Sequence, residues 1–203
     1  MQTAPELNRI DIVPPAGAGT GIYSLFSGYG FFIDVPAGTS IGDLLRQHLG
    51  LAADDIENHV KTILYDGRPV DDVEGWRIEG PSTIALSGAL PGLFGAAFRR
   101  QGKYAALRPR CAPDSIKGQT ETGPIQVTIK LFNLCSRTIG PKLLQNGIKM
   151  PSERFISLWK NILNVTGGGK QLGASLDGNA VSPESLAGSI PLDTVHVFVH
   201  PPD

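Results

Sequence analysis

The stretch ILYDGRPV at residues 63–70 decides the fold class of this chain. Its first residues are aliphatic or aromatic, as in a buried strand, and Asp66-Gly67 is a dipeptide typical of a tight turn. The segment TIALS at residues 83–87 follows and again favours a strand. Together these segments predict a strand, a turn, a short extended piece and a further strand.

The same pattern recurs in the second half of the chain. Asp177-Gly178 lies 111 residues after Asp66-Gly67, and Thr194 lies the same distance after Thr83. An offset shared by a turn and a following strand indicates an internal repeat. The sequence therefore predicts two copies of one unit, in which a helix covers one face of a small mixed sheet.

Further elements extend each copy outward from these turns. In the first copy, residues 22–26 and 31–35 predict a β-hairpin, and Thr39 or Ser40 predicts the N-cap of a helix with apolar residues at 41, 44, 45 and 49. The acidic residues 54–57 predict a turn. In the second copy, residues 125–134, 142–150, 172–176 and 194–199 predict strands, and Ser152 predicts the N-cap of a helix.

The first copy resembles a known family. Residues 63–72, ILYDGRPVDD, and 81–92, PSTIALSGALPG, are similar to the ending of the ubiquitin-like sulfur carriers of the ThiS/MoaD type, members of the β-grasp superfamily. The resemblance covers residues 22–92, and residues 124–203 resemble the same fold more faintly. It implies an α+β fold of two tandem β-grasp (ubiquitin-like) units, each a mixed sheet covered by one helix. The domains are then 1–92 and 124–203, with a bridging segment and linker at 93–123.

The end of the first copy departs from the family pattern. Sulfur carriers of this type end in a free Gly-Gly tail, because only glycine lets the tail thread a narrow channel. Here ALPG at residues 89–92 stands at the matching place, and the chain continues to residue 203. A carrier role therefore requires proteolytic release near Gly92.

Composition and charge argue against several functional classes. Lys and Arg total 18 against 19 Asp and Glu, a formal net charge of −1, so the chain lacks the field of a dedicated nucleic-acid binder or polybasic membrane protein. No apolar run approaches the roughly 20 residues that span a bilayer, and the N-terminus does not resemble a secretory signal. Cys111 and Cys135 are too few for a disulfide framework or a four-cysteine zinc site. We expect a cytoplasmic protein with free thiols and no membrane contact.

Residues 93–110 are the strongest candidate for a functional surface, because a β-grasp unit does not need them. Apolar, aromatic and basic residues are mixed there, which is typical of a partner-binding surface and less strongly of an RNA contact. A structural bridge between the two copies explains the same composition. The predicted partner-binding residues are Leu93, Phe94, Phe98, Arg99, Arg100, Lys103 and Tyr104.

Other motifs carry less chemical meaning. Glycines at 17–21 and 167–169 can hold an anion with backbone N–H groups, but loop and helix-stop roles explain both segments. His196 and His200 share one face if strand geometry persists, yet no third metal ligand is adjacent in sequence. Acidic pairs at 54–57 and 71–72 occupy turn-like positions, and no nucleophile motif is present. We therefore assign no catalytic residue, cofactor or metal site.

The function that these observations favour is that of a non-catalytic protein-binding or adaptor protein. Its partner is expected to be another protein and not a nucleic acid, and the sequence indicates no oligomeric state. One alternative is a ubiquitin-like modifier or sulfur carrier released near Gly92. The other is an enzyme or small-molecule binder with a site between the domains, drawing on Arg99, Arg100, Lys103 and Asp72.

Overall fold

The computed structural model describes residues 8–88, 92–100, 102–104, 123–167, 169, 171–190 and 193–201, without the side chains of Leu93 and Phe94. It confirms the α+β class. The elements in chain order are β1 (Asn8–Val13), α1 (Gly19–Tyr29), β2 (Phe31–Pro36), β3 (Thr39–Ser40), α2 (Ile41–Asp43, continued by a π-helical segment Leu44–His48), α3 (Ala53–His59), β4 (Thr62–Tyr65), β5 (Arg68–Pro69), β6 (Arg77–Ile78), β7 (Ser82–Ser87), α4 (Gly92–Phe98), β8 (Pro124–Phe132), α5 (Leu134–Thr138), α6 (Gly140–Asn146), β9 (Ile148–Pro151), α7 (Ser152–Val165), β10 (Gly173–Leu176), β11 (Asn179–Ala180), α8 (Pro183–Ser189) and β12 (Thr194–Val199). Within the described ranges, no helix has the length and apolar character needed to cross a membrane.

The chain forms two compact units, each with segments from both halves of the sequence. Unit 1 combines Met1–Phe31 with Gly140–Asp203, and unit 2 is Phe32–Ile139. The ranges 1–92, 93–123 and 124–203 stay a prediction about how the sequence is organised.

Unit 2 is built on a sheet with the strand order β2-β8-β7-β4-β5. Strand β7 runs parallel to β8 and antiparallel to β4. Alternate residues such as Ile84, Leu86 and Ile129 are fully buried, because successive side chains of a strand point to opposite faces. The strand predicted at residues 83–87 is confirmed as β7, and most of the strand predicted at residues 125–134 is β8.

The helix predicted after residue 40 is also present in unit 2. Ser40 Oγ accepts a hydrogen bond from the backbone N–H of Asp43 at 2.9 Å, which satisfies one of the N–H groups that a helix start leaves free. Ile41, Leu44 and Leu45 are fully buried, so the predicted apolar stripe of this helix lies in the core.

Unit 1 has a sheet with the order β11-β10-β1-β12-β9. Strand β1 runs parallel to β12 and antiparallel to β10, and β9 runs antiparallel to β12. Helices α1 and α7 supply aromatic side chains to its core, where the rings of Phe26 and Phe155 lie 6.2 Å apart and Phe155 stacks on Trp159. The fully buried strand residues are Ile10, Ile12, Met150, Val195, Val197 and Val199.

The two hairpins of the repeat have the same geometry. Leu64 pairs with Pro69, and the positions 111 residues later, Ser175 and Ala180, pair in the same register. Each turn holds Asp and then Gly with positive φ, as the mirror-image turns of tight hairpins require. The predicted equivalence of the Asp-Gly turns is confirmed.

The strand beside each hairpin differs between the units. Asp66 Oδ1 accepts the N–H of Thr83 in β7 at 2.7 Å, whereas Asp177 Oδ1 accepts the N–H of Arg9 in β1 at 2.8 Å. From the repeat, Asp177 should accept the N–H of Thr194 in β12, the counterpart of Thr83. Instead, β1 lies between β10 and β12. Likewise β8, the predicted first strand of the second copy, pairs with β7 in unit 2. Unit 1 therefore contains β1, which precedes the first copy, and unit 2 contains the strand predicted to open the second copy.

Several predicted elements are wrong. Residues 22–26 form part of helix α1 and not a strand, because Ile22 and Phe26 lie four residues apart and are buried together. Residues 142–150 contain most of helix α6, and Gly147 at φ 91° separates it from the short strand β9. The acidic residues 54–57 belong to helix α3. Helix α7 begins at Ser152 itself, whose Oγ accepts the N–H of Asp193 at 3.1 Å.

Candidate functional site

One of the predicted partner-binding residues, Arg100, attaches the exit of helix α4 to one end of the unit 2 sheet. The backbone N–H of Lys61, just before β4, donates to Ser87 O at 2.9 Å, and Ser87 is in register with Phe132 at the end of β8. The N–H of Arg100 donates to Lys61 O at 2.8 Å. The exit of helix α4 is thus fixed where β4 begins and where β7 and β8 end. We call this surface the basic–apolar end; it comprises Lys61, Phe98, Arg99, Arg100, Lys103, Tyr104, Phe132 and Leu134.

Three large apolar or aromatic side chains at the basic–apolar end are exposed. Tyr104 is 41% exposed, Phe132 40% and Leu134 43%. Of these, Phe132 and Leu134 are neighbours of Asn133, a residue with φ 53° and ψ −124°, a backbone conformation that costs free energy for a residue other than glycine. The exposure of two large hydrophobic residues beside a strained one is typical of a binding surface.

Tertiary contacts hold this strained segment in place. The side-chain amide of Asn133 donates to Ser87 Oγ at 3.2 Å. A Cβ at Gly88 would lie 2.7 Å from the Cβ of Leu134, so β7 and the start of α5 approach closely only because residue 88 is glycine. The exposed pair Phe132 and Leu134 therefore sits on a fixed scaffold.

Arg100 carries the unusual electrostatics of the site. Arg100 is half-buried, and among the described residues its buried Nε and Nη1 atoms have no hydrogen-bond partner. Burial lowers the pKa of Arg100, and the carboxylate of Asp71 opposes that shift. An arginine nevertheless stays charged at neutral pH, so part of a cationic group lies inside the protein with its hydrogen bonds unmade.

The other basic residues of the surface face solvent. Arg99 and Lys103 are exposed. The N–H of Gly102 donates to Arg99 O at 3.2 Å, so the chain turns directly after α4 and brings Lys103 back beside it. No acidic residue occurs between 80 and 113 in the sequence.

The structure tests the predicted segment unevenly. Phe98 is half-buried, and the side chains of Leu93 and Phe94 lie outside the described residues, as do Cys111 and most of the predicted linker. Sequence reasoning missed Phe132 and Leu134. The alternation along β8 places Ile129 and Leu131 inside and therefore turns Phe132 outward, a signal that was available in the sequence.

The glycines at 17–21 lie in a turn and in the first residues of α1. Gly17 and Gly21 line an open groove of about 520 Å³ together with Ala18, Ile22, Ser24, Leu25, Val165 and Thr166. No charged side chain lines this groove, and Val165 at its edge is 70% exposed. The lining is apolar, which does not favour the anion-binding interpretation.

His196 and His200 share one face of β12, as predicted, with Phe198 between them. His196 lies 4.4 Å from the Phe198 ring, and His200 Nε2 lies 2.7 Å from Asp11 Oδ1. Arg9 binds Asp11 through Nε and Nη2 at 2.9 and 2.8 Å, and its guanidinium lies 3.8 Å over Phe198. The sequence did not predict that Asp11 lies beside these histidines. The cluster satisfies its own hydrogen bonds and charges, which favours a structural role.

The remaining candidates have structural roles. Asp72 Oδ1 accepts the N–H of Gly75 at 2.8 Å within a turn. Cys135 is buried, and burial raises its thiol pKa to about 12, so it is not an activated nucleophile. Among the described residues, no group of three or more His, Cys, Asp or Glu side chains is arranged to hold a metal ion.

Comparisons with known proteins return no relative: no protein-family model, no curated protein and no solved structure matches the chain.

Proposed function

We propose that this chain is a non-catalytic adaptor protein that binds another protein through the basic–apolar end of unit 2. The observation that carries the proposal is that exposed Phe132 and Leu134 lie at the sheet end to which the Arg100 backbone is hydrogen-bonded, and that exposed Arg99, Lys103 and Tyr104 flank Arg100 in sequence. Protein-binding sites combine large anchors of this kind with arginine.

The packing after Gly92 favours this function over that of a released modifier or sulfur carrier. Gly92 is the first residue of α4, Gly95 is buried, and Arg100 is hydrogen-bonded to Lys61. Cleavage after Gly92 would detach a segment that packs on unit 2. A carrier tail, in contrast, has to be free to enter an activating enzyme.

The proposal extends to the fold family and to the location. We propose that both units are β-grasp-like, supported by mixed sheets with a parallel pair of strands beside an equivalent Asp-Gly hairpin. We also propose a cytoplasmic location, supported by the free and buried thiol of Cys135.

A pull-down of the tagged full-length protein from its native cell extract tests the function, with intact mass spectrometry of the recovered bait. The double variant Arg99→Ala/Lys103→Ala removes two exposed cations from the surface, and Lys142→Ala/Lys160→Ala removes two exposed cations from unit 1 helices as the matched control. We expect one stoichiometric protein partner with the wild type and the control, and its loss from the first variant.

Two outcomes would overturn the proposal. A bait that ends at Gly92 or carries a covalent adduct would establish a processed carrier. A partner that is retained equally by both double variants would show that the basic–apolar end is not the binding surface.

A further inference from the structure

We propose that the partner presents an acidic peptide segment with apolar side chains, and that one of its carboxylates is received by Arg100. This inference rests on the proposed function and adds the chemistry of the partner.

The charge of the surface selects an acidic partner. Three cations, Arg99, Arg100 and Lys103, lie within five residues of chain, and the sequence holds no acid from 80 to 113. Asp71 is the acid that acts on Arg100. Carboxylates placed against such a surface gain Coulomb energy and speed association.

Arg100 is poised to accept a new partner. A buried donor without an acceptor costs free energy, and more when the group is charged. In the part of the chain that the structure describes, no acceptor binds Nε or Nη1, so turning the guanidinium toward a docked carboxylate breaks no hydrogen bond of these two atoms there. A carboxylate matches the fork of arginine donors and forms short, charge-assisted hydrogen bonds with it.

The exposed apolar residues of the surface indicate that the acidic peptide segment of the partner also carries apolar side chains. Phe132 and Leu134 are exposed on either side of Asn133, which is anchored to Ser87. Because these anchors are already fixed, a partner that covers them with aliphatic or aromatic side chains orders little of the adaptor on binding. A segment that alternates acidic and apolar residues can engage the cations and the anchors together.

Fluorescence anisotropy with full-length protein tests the inference. The probe is a short fluorescein-labelled peptide of alternating Glu and Leu, compared with its Gln and Leu analogue and with a labelled oligouridine. We expect the Glu peptide to bind at least tenfold more tightly than either competitor, since hydrogen bonds to charged groups contribute about 1.5–3 kcal/mol each.

Substitution of Arg100 separates binding from stability. Arg100→Gln should weaken the Glu peptide by roughly tenfold and leave the thermal midpoint unchanged or higher, because it removes a buried charge that lacks acceptors. Arg100→Lys, which keeps the charge without the fork, should bind with intermediate affinity. Lys142→Ala/Lys160→Ala should bind like the wild type.

Any of three results would overturn the inference: equal binding of the Glu and Gln peptides, tighter binding of oligouridine, or full affinity in Arg100→Gln. If the cell-extract partner still depends on Arg99 and Lys103 while the Glu peptide does not bind, the adaptor function stands and the acidic chemistry fails. If neither binds, both fail.

Discussion

Strand β1 comes from the first half of the chain and β8 from the second, yet each belongs to the unit built mainly from the other half. A mutation in either strand should therefore destabilise that unit. Ile12 in β1 is fully buried in unit 1, although it precedes the whole first copy of the repeat in sequence. Ile129 in β8 is fully buried in unit 2, although it lies in the second copy. Each of these residues should therefore stabilise the unit built mainly from the other half.

The expected size of the effect follows from burial. An Ile→Val substitution at a fully buried site costs about 0.5–1.5 kcal/mol, through one lost methyl group and the small cavity that remains. For a unit of about 100 residues, 1 kcal/mol corresponds to a fall of about 4–8 °C in the unfolding midpoint. Such a shift is measurable and leaves the fold intact.

The two tryptophans provide one probe for each unit. Trp76 lies in unit 2 beside Tyr65, and Trp159 lies in the core of unit 1. Thermal unfolding followed by fluorescence in a Trp76→Phe background reports unit 1, and a Trp159→Phe background reports unit 2. We expect Ile12→Val to lower the Trp159 midpoint only, and Ile129→Val to lower the Trp76 midpoint only.

The reasoning would be refuted by the reverse pattern. A fall of the Trp76 midpoint with Ile12→Val, while Trp159 is unaffected, would place β1 in the unit of the first copy. Equal shifts of both probes with either variant would contradict two separately stabilised units.

Three further predictions follow from single sites. Gly147→Ala should destabilise the protein by more than about 2 kcal/mol in urea unfolding, because its φ is 91° and a Cβ would lie 2.5 Å from the Phe198 ring. The control Gly167→Ala, where φ is also positive but the space is open, should cost about 1 kcal/mol. Equal costs for the two variants would contradict the packing argument. Burial and the nearby cations Lys149 and Arg9 lower the pKa of His196. The unfolded chain therefore binds the proton more readily, and stability should fall as pH drops below about 6.5. His196→Gln should flatten the plot of the urea midpoint against pH in this range, and an unchanged slope would disprove the prediction. Cys135 should resist a thiol reagent in native protein and react on unfolding, because its pKa of about 12 keeps the thiolate scarce. Peptide mapping by mass spectrometry measures the labelling, and rapid labelling of the native protein would contradict this prediction.

Local signals in the sequence predicted local structure well. Asp66-Gly67 and Asp177-Gly178 form equivalent turns, because a tight hairpin requires positive φ at these positions and Asp-Gly adopts it readily. The Ser40 cap and the apolar stripe after it also follow from chemistry within a few residues. The candidate site was found only in part: the alternation along β8 marks Phe132 as outward-facing, whereas the conformation of Asn133 before Leu134 was not predicted.

Helix α1 shows where local signals were insufficient. Its glycines and aromatic residues suggested a hairpin, but its buried face packs on α7 through Phe26 and Phe155. A short apolar run is compatible with a strand or a helix, and the packing partner selects between them. Residues more than a hundred positions away in sequence therefore decided this element.

The sequence by itself determined the α+β class, the two hairpins, the capped helix and the basic character of the segment after residue 92. Only the tertiary structure decided that β1 completes unit 1, that β8 completes unit 2, and that Arg100 leaves two buried donors unpaired. The physical reason is that turns and caps are fixed by torsional preferences and hydrogen bonds between near neighbours. Every strand, in contrast, offers the same backbone donors and acceptors, so its partner is selected by which buried side chains pack together across long separations in sequence.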